Sequence, residues 1–143
     1  MPEFVMAVKT AAARRRYEAL DEFTRGFVEG MFWADTGAAE DGELAEASFD
    51  DLSPEAVAKI GEDCASFQSA GEPALEGARR ISASCTARSA GVDFYCTRNG
   101  YGTGFWDGSW PPPFGESLTR LAQKYHGLHP VRGGDDLIYI ERS

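Results

Sequence analysis

The sequence predicts an α+β fold, with helices packed on one face of a small, mainly antiparallel sheet, and three observations carry that expectation. Apolar residues recur at three- and four-residue spacing over 17–31 and again over 57–67, the mark of amphipathic helices. Residues 92–97 alternate apolar and polar side chains, the period of a half-buried strand, and Asn99-Gly100 follows, a dipeptide suited to a type I′ hairpin turn. Leu137-Ile138-Tyr139-Ile140 is too apolar to stand alone, which predicts a strand paired with that hairpin.

The 143 residues, 43% hydrophobic and 12% aromatic, are enough for one ordinary core, taken here as a single domain over 10–143 preceded by a flexible arm over 1–9. In the first helix, from about Thr10 to Trp33, Tyr17, Leu20, Phe23, Phe27 and Met31 form the inward stripe. Arg14-Arg15-Arg16 sits near its start, where the helix dipole disfavours positive charge, and reads as a solvated polar face. Ser53-Pro54 opens a second helix, a capping hydroxyl followed by proline at the first helical position, with Val57, Ile60, Cys64 and Phe67 inward. Gly71 is expected to end it, and Glu72-Pro73 to open a weaker helix reaching Ile81. After the hairpin and the stiff Pro111-Pro112-Pro113 linker, Glu116 to His126 reads as an amphipathic helix closed by Gly127. Gly133-Gly134-Asp135-Asp136 is then a turn.

The net charge of −9 is unevenly placed. Residues 34–58 hold eight carboxylates and no Lys or Arg, whereas the chain on either side is nearly balanced. Asp35, Glu40, Asp41, Glu43, Glu46, Asp50 and Asp51 therefore form a candidate acidic surface for a basic partner. Such a field disfavours direct binding to nucleic-acid phosphates. The order Glu40-Asp41-Gly42-Glu43 lacks the alternating oxygen ligands of a calcium loop. His126 and His129 lie three apart across Gly127 with no nearby Cys, so no metal site is indicated, and no cofactor motif occurs. Cys64, Cys85 and Cys96 are odd in number and widely spaced, as reduced thiols are. No run approaches a membrane span and Met1 to Ala13 lacks a secretory pattern, so the expected location is the cytoplasm.

The expected hairpin is also the candidate binding platform. Gly100, Gly102 and Gly104 recur at every second residue, which on a strand leaves one face bare for close approach. Around that face stand Arg98, Asn99, Tyr101, Phe105, Trp106 and Asp107: rings to stack on a ligand, a guanidinium for an anion, a carboxylate to accept hydrogen bonds. The glycine spacing matches no dinucleotide or Walker loop, and no Ser–His–Asp order or convincing carboxylate pair argues for catalysis.

The segment Asp93-Phe-Tyr-Cys-Thr-Arg-Asn-Gly-Tyr-Gly-Thr-Gly-Phe-Trp-Asp107 resembles the signature of a family of small, largely uncharacterised proteins from bacteriophages and other mobile elements. That signature runs close to Asp-Phe-Trp-Leu-Thr-Arg-Asn-Gly-His-Gly-Ala-Gly-Phe-Trp-Asp, so this chain carries Tyr101 in place of a histidine. Phe49-Asp-Asp-Leu-Ser-Pro-Glu-Ala56, with Asp63-Cys64 and Phe67, is similar to the family's helix start, and the likeness spans about 27–139. The resemblance implies a phage or mobile-element setting and no reaction. The leading expectation is then an accessory protein that binds a host protein through its acidic surface, as an inhibitor or nucleic-acid mimic. The alternatives are a small-ligand or nucleotide binder using 98–107, and a structural or assembly component. The oligomeric state is not legible.

Overall fold

The computed structural model describes residues 6–35 and 47–142. Among the described residues, five helices and one two-stranded antiparallel sheet make up an α+β architecture, but the strands are not where the alternating pattern put them.

Helix α1 (Ala11–Ala19) starts at Thr10, whose hydroxyl accepts from the Ala13 amide, and α2 spans Glu22–Asp35. The expected single helix over 10–33 is thus two. The chain is extended at Leu20 (ψ 147°), and the Asp21 carboxylate takes the Thr24 amide at 2.8 Å, a cap that starts a new helix. The Arg25 guanidinium reaches back to the Tyr17 and Glu18 carbonyls, so the orphaned end of α1 is satisfied from α2. Residues 6–9, within the segment expected as an arm, run beside a 3-10 turn over Phe49–Asp51: Phe49 N donates to Ala7 O at 2.8 Å, and Met6 is buried.

Helix α3 (Pro54–Ile81) begins at Ser53, as its hydroxyl and the following proline predict. It does not stop at Gly71, and Pro73 lies inside it. Gly71 is a packing residue rather than a stop: a β-carbon there would meet Leu121 at 3.2 Å, and one at Gly77 would meet the Phe114 ring at 2.5 Å. Those leucine and phenylalanine side chains belong to α5 (Phe114–Ala122), which lies against α3 at that point. Proline removes one rung of the helix, but the packed face carries the segment through it.

The expected hairpin over 92–107 is corrected. Residues 87–98 form helix α4 (Ala87–Arg98), started by the Thr86 hydroxyl accepting from Ser89 N. Ala90, Gly91, Val92, Phe94, Tyr95, Cys96, Thr97 and Arg98 are all buried in it. A helix enclosed on nearly every side has no polar face, so an alternating stretch within it imitates a strand. Asn99-Gly100 is the helix's C-terminal cap, not a hairpin turn. Gly100 adopts φ 72°, its amide donates to Thr97 O, and Tyr101 N donates to Cys96 O, the paired bonds of a Schellman motif.

The strands are β1 (Leu128–Arg132) and β2 (Ile138–Arg142), in register with Pro130 opposite Ile140 and joined by the expected turn at 133–136. Ile138 also bridges Leu52, the residue before the α3 cap, and Ser53 N donates to its carbonyl at 2.9 Å. Packing centres on α2 against α4. A β-carbon on Gly26 would lie 2.0 Å from the Arg88 carbonyl and one on Gly91 1.9 Å from that of Phe23, so the two backbones touch. Phe23, Phe27, Phe67, Phe94 and Phe105 fill the space around this crossing, with the Phe67 and Phe94 rings stacked at 4.2 Å.

Candidate functional site

Beyond the cap of α4, residues 101–110 fold back along the helix that precedes them. Thr97, on the last turn, accepts from Phe105 N at 3.1 Å, and Gly104 fits against that hydroxyl where a β-carbon would clash at 2.3 Å. Asp107 gathers the rest: one carboxylate oxygen takes the Thr103 hydroxyl at 2.7 Å and the Gly104 amide, the other the Ser109 amide at 3.0 Å. Partial burial pushes this carboxyl up, but those hydrogen bonds win and hold it below the usual range. Phe105 is thereby driven into the core, stacked on Phe67, with the Trp110 ring edge-on to it at 5.1 Å.

Between this loop, α2 and the start of α4 lies a cavity of about 380 Å³. Trp33 and Trp110 line it together with Val92, Asp93, Asp107, Ser89 and Thr103, and none of its described lining residues is Lys, Arg or His. The Trp110 indole N–H donates to Asp93 at 2.6 Å, fixing ring and carboxyl together. Burial raises the Asp93 pKa to about 6; the indole bond opposes this and the Asp107 charge adds to it. The site therefore pairs a carboxyl that is partly neutral near pH 6 with one that stays ionised, inside aromatic walls. Such a place suits an organic cation, which the carboxylates attract beside two indole rings.

Of the residues expected on the platform, only Asp107 lines this cavity. Arg98 is turned inward: Nε donates to His126 O at 2.8 Å, Nη1 lies 3.0 Å from Asp63, and the guanidinium packs over the Phe94 and Tyr125 rings. Asn99 ties α4 to β1, accepting from Leu128 N at 2.9 Å and donating to Tyr95 O. Tyr101 donates to Asp35 at 2.7 Å, a carboxylate that also takes the Tyr95 hydroxyl. Phe105 is core, and Trp106 is 53% exposed. Of the acidic surface, Asp35 is occupied in this way, Asp50 accepts from Lys9 and Thr10, and Asp51 accepts from Ser48 N; Glu40, Asp41, Glu43 and Glu46 lie outside the described residues.

Asp93, Trp33 and Trp110 were legible as residue types but not as neighbours, since they come from the middle of α4, the last turn of α2 and a loop. The one sequence signal was the clustering of Asp and Trp around 93–110. A second hollow of similar size between α3 and α4 is bordered by polar residues such as Gln68 and Glu72, and there Arg79 pairs with Glu76. Cys85 stands between the two hollows, buried and 3.7 Å from Ser109 O. All three cysteines are free and buried, and burial pushes the Cys96 thiol up to about 12, which keeps it protonated and inert. Among the described residues no group of three or more His, Cys, Asp or Glu is placed to hold a metal ion, and no helix is long and apolar enough to cross a membrane. Comparison with protein-family models, curated proteins and solved structures found no match.

Proposed function

We propose that this protein binds a small organic cation, an alkyl- or arylammonium, in the cavity formed by α2, α4 and the loop over 101–110. The observation that carries the reading is the joint presence of Trp33 and Trp110 with Asp93 and Asp107 in a cavity of about 380 Å³ whose described lining includes no basic residue. The test is a titration with benzylammonium and tetramethylammonium, read by tryptophan fluorescence and amide chemical shifts. Saturable binding is expected, weakened about tenfold or more by Asp107→Asn or Trp33→Leu, roughly the loss of one ionic or cation–π contact. Binding should tighten as pH rises through 6, because Asp93 ionises there. No saturation, or tighter binding of benzoate than of benzylammonium, would overturn it.

A second reading rests on charge. The eight carboxylates within 34–58 favour a basic host-protein surface as partner, in the phage or mobile-element setting that the 93–107 resemblance implies. Charge reversal at Glu40, Asp41, Glu43 and Glu46 is expected to abolish capture of that partner and leave the fluorescence titration unchanged.

A further inference from the structure

At the other end of α4 the electrostatics reverse. A groove of about 230 Å³ opens where α3, the end of α4, the segment after α5 and the two strands meet, and it is lined by Lys59, Asp63, Arg98, Lys124, His126 and Arg142 among others. Among the described lining residues four cations thus face one carboxylate, in a chain whose net charge is −9. Asp63 is already engaged twice, by Lys59 at 2.9 Å and by Arg98 at 3.0 Å. Neither Lys124 nor Arg142 has an ion-pair partner among the described residues. The antiparallel register sets Arg142 opposite Leu128, at the end of the sheet that borders the groove.

The Arg98 side chain at the floor is only 2% exposed. Its Nη1 lies 3.0 Å from the Asp63 carboxylate, a buried ion pair at the base of the groove. The Nε bond to His126 O and the rings of Phe94 and Tyr125 fix the plane of the group, so its positive charge stays beneath the groove. With Lys124 and Arg142 exposed at the rim, the arrangement suits a tetrahedral oxyanion: the rim groups supply donors, and the buried guanidinium adds charge from below.

We propose that this groove is a binding site for a phosphate-type oxyanion, either free phosphate or the phosphate of a small monoester. It is separate from the ammonium cavity, and neither site needs the other. The excess of positive charge excludes cations from the groove as the Asp93–Asp107 pair excludes anions from the cavity.

The experiment is an NMR titration of the full chain with inorganic phosphate and, in parallel, with phenyl phosphate, at constant ionic strength set with sodium chloride so that general screening is held fixed. Saturable shifts are expected at the amides of Lys59, Arg98, Lys124 and His126. Tighter binding of phenyl phosphate identifies a monoester as the ligand, and equal or tighter binding of inorganic phosphate identifies the free ion. Lys124→Glu/Arg142→Glu, two changes at the rim, should weaken binding at least tenfold with an unchanged melting temperature, and Asp93→Asn should leave it unaltered. Absence of saturation with both anions, or shifts that persist in the double variant, would overturn the assignment.

Discussion

Arg98 shows how a residue chosen for ligand chemistry becomes structural once neighbours are in place. Its charge is buried beside Asp63, and burial pulls the guanidinium pKa down while Asp63 opposes that. Removing one partner of a buried pair strands the other, so Arg98→Met should lower stability by about 3 to 5 kcal/mol in urea denaturation. Arg98→Lys should recover little of it, because a single ammonium cannot reach the Asp63 carboxylate and the His126 carbonyl with the geometry of a guanidinium. Asp93 makes the complementary case. Its folded-state pKa of about 6 lies above the ordinary 3.8, so the folded chain holds its proton more tightly than the unfolded one. The stability this confers is fully present below about pH 4 and is lost as pH rises through 6. Asp93→Asn keeps an acceptor for the Trp110 indole and cannot ionise. Relative to the parent chain it should gain about 2 to 3 kcal/mol between pH 4 and pH 7.5, measured as the difference between two denaturation series.

At the scale of elements, the crossing of α2 and α4 is set by glycines rather than by large side chains. A β-carbon at position 91 would sit 1.9 Å from a backbone oxygen, which cannot move without separating the helices. Gly91→Ala should therefore cost on the order of 3 kcal/mol. Gly61, also within a helix, has nothing within 4 Å of the same virtual atom. There Gly61→Ala should stabilise by about 0.5 to 1 kcal/mol through lower unfolded-state entropy and better helix propensity. The opposite signs at two helical glycines separate close approach from propensity. The same comparison explains why α3 outlasts Gly71: that glycine answers to α5, not to the end of its own helix.

For the whole molecule, stability is unevenly spread. Helix α1 buries only Ala13, whereas α2 and α4 bury most of their residues. What anchors the start of α1 is Asp50, which takes the Lys9 and Thr10 amides and the Thr10 hydroxyl; slight burial raises its carboxyl, but these bonds bring the pKa to about 2. Native-state hydrogen exchange should show α1 opening well before α2 and α4, and Asp50→Ala should abolish α1 protection while leaving α4 protected. The chain is also electrostatically divided, with carboxylates at the cavity near the start of α4 and cations at the groove near its end.

The sequence by itself determined the α+β class, the start of α3 at Ser53-Pro54, the turn at 133–136 and the strand that follows it, because caps, turns and short apolar runs act through neighbours in the chain. It also marked 98–107 as unusual without saying why. The tertiary structure alone decided that 92–98 is helix, since burial on all sides erases the polar face by which a helix is recognised. It alone paired Leu128–Arg132 with the last strand, because Pro130 reads as a strand breaker until its edge position is known. And it alone brought Trp33, Asp93, Asp107 and Trp110 into one cavity, and Lys59, Arg98, Lys124 and Arg142 into one groove. A site of that kind is a property of packing, made from residues whose separation along the chain carries no trace of their distance in space.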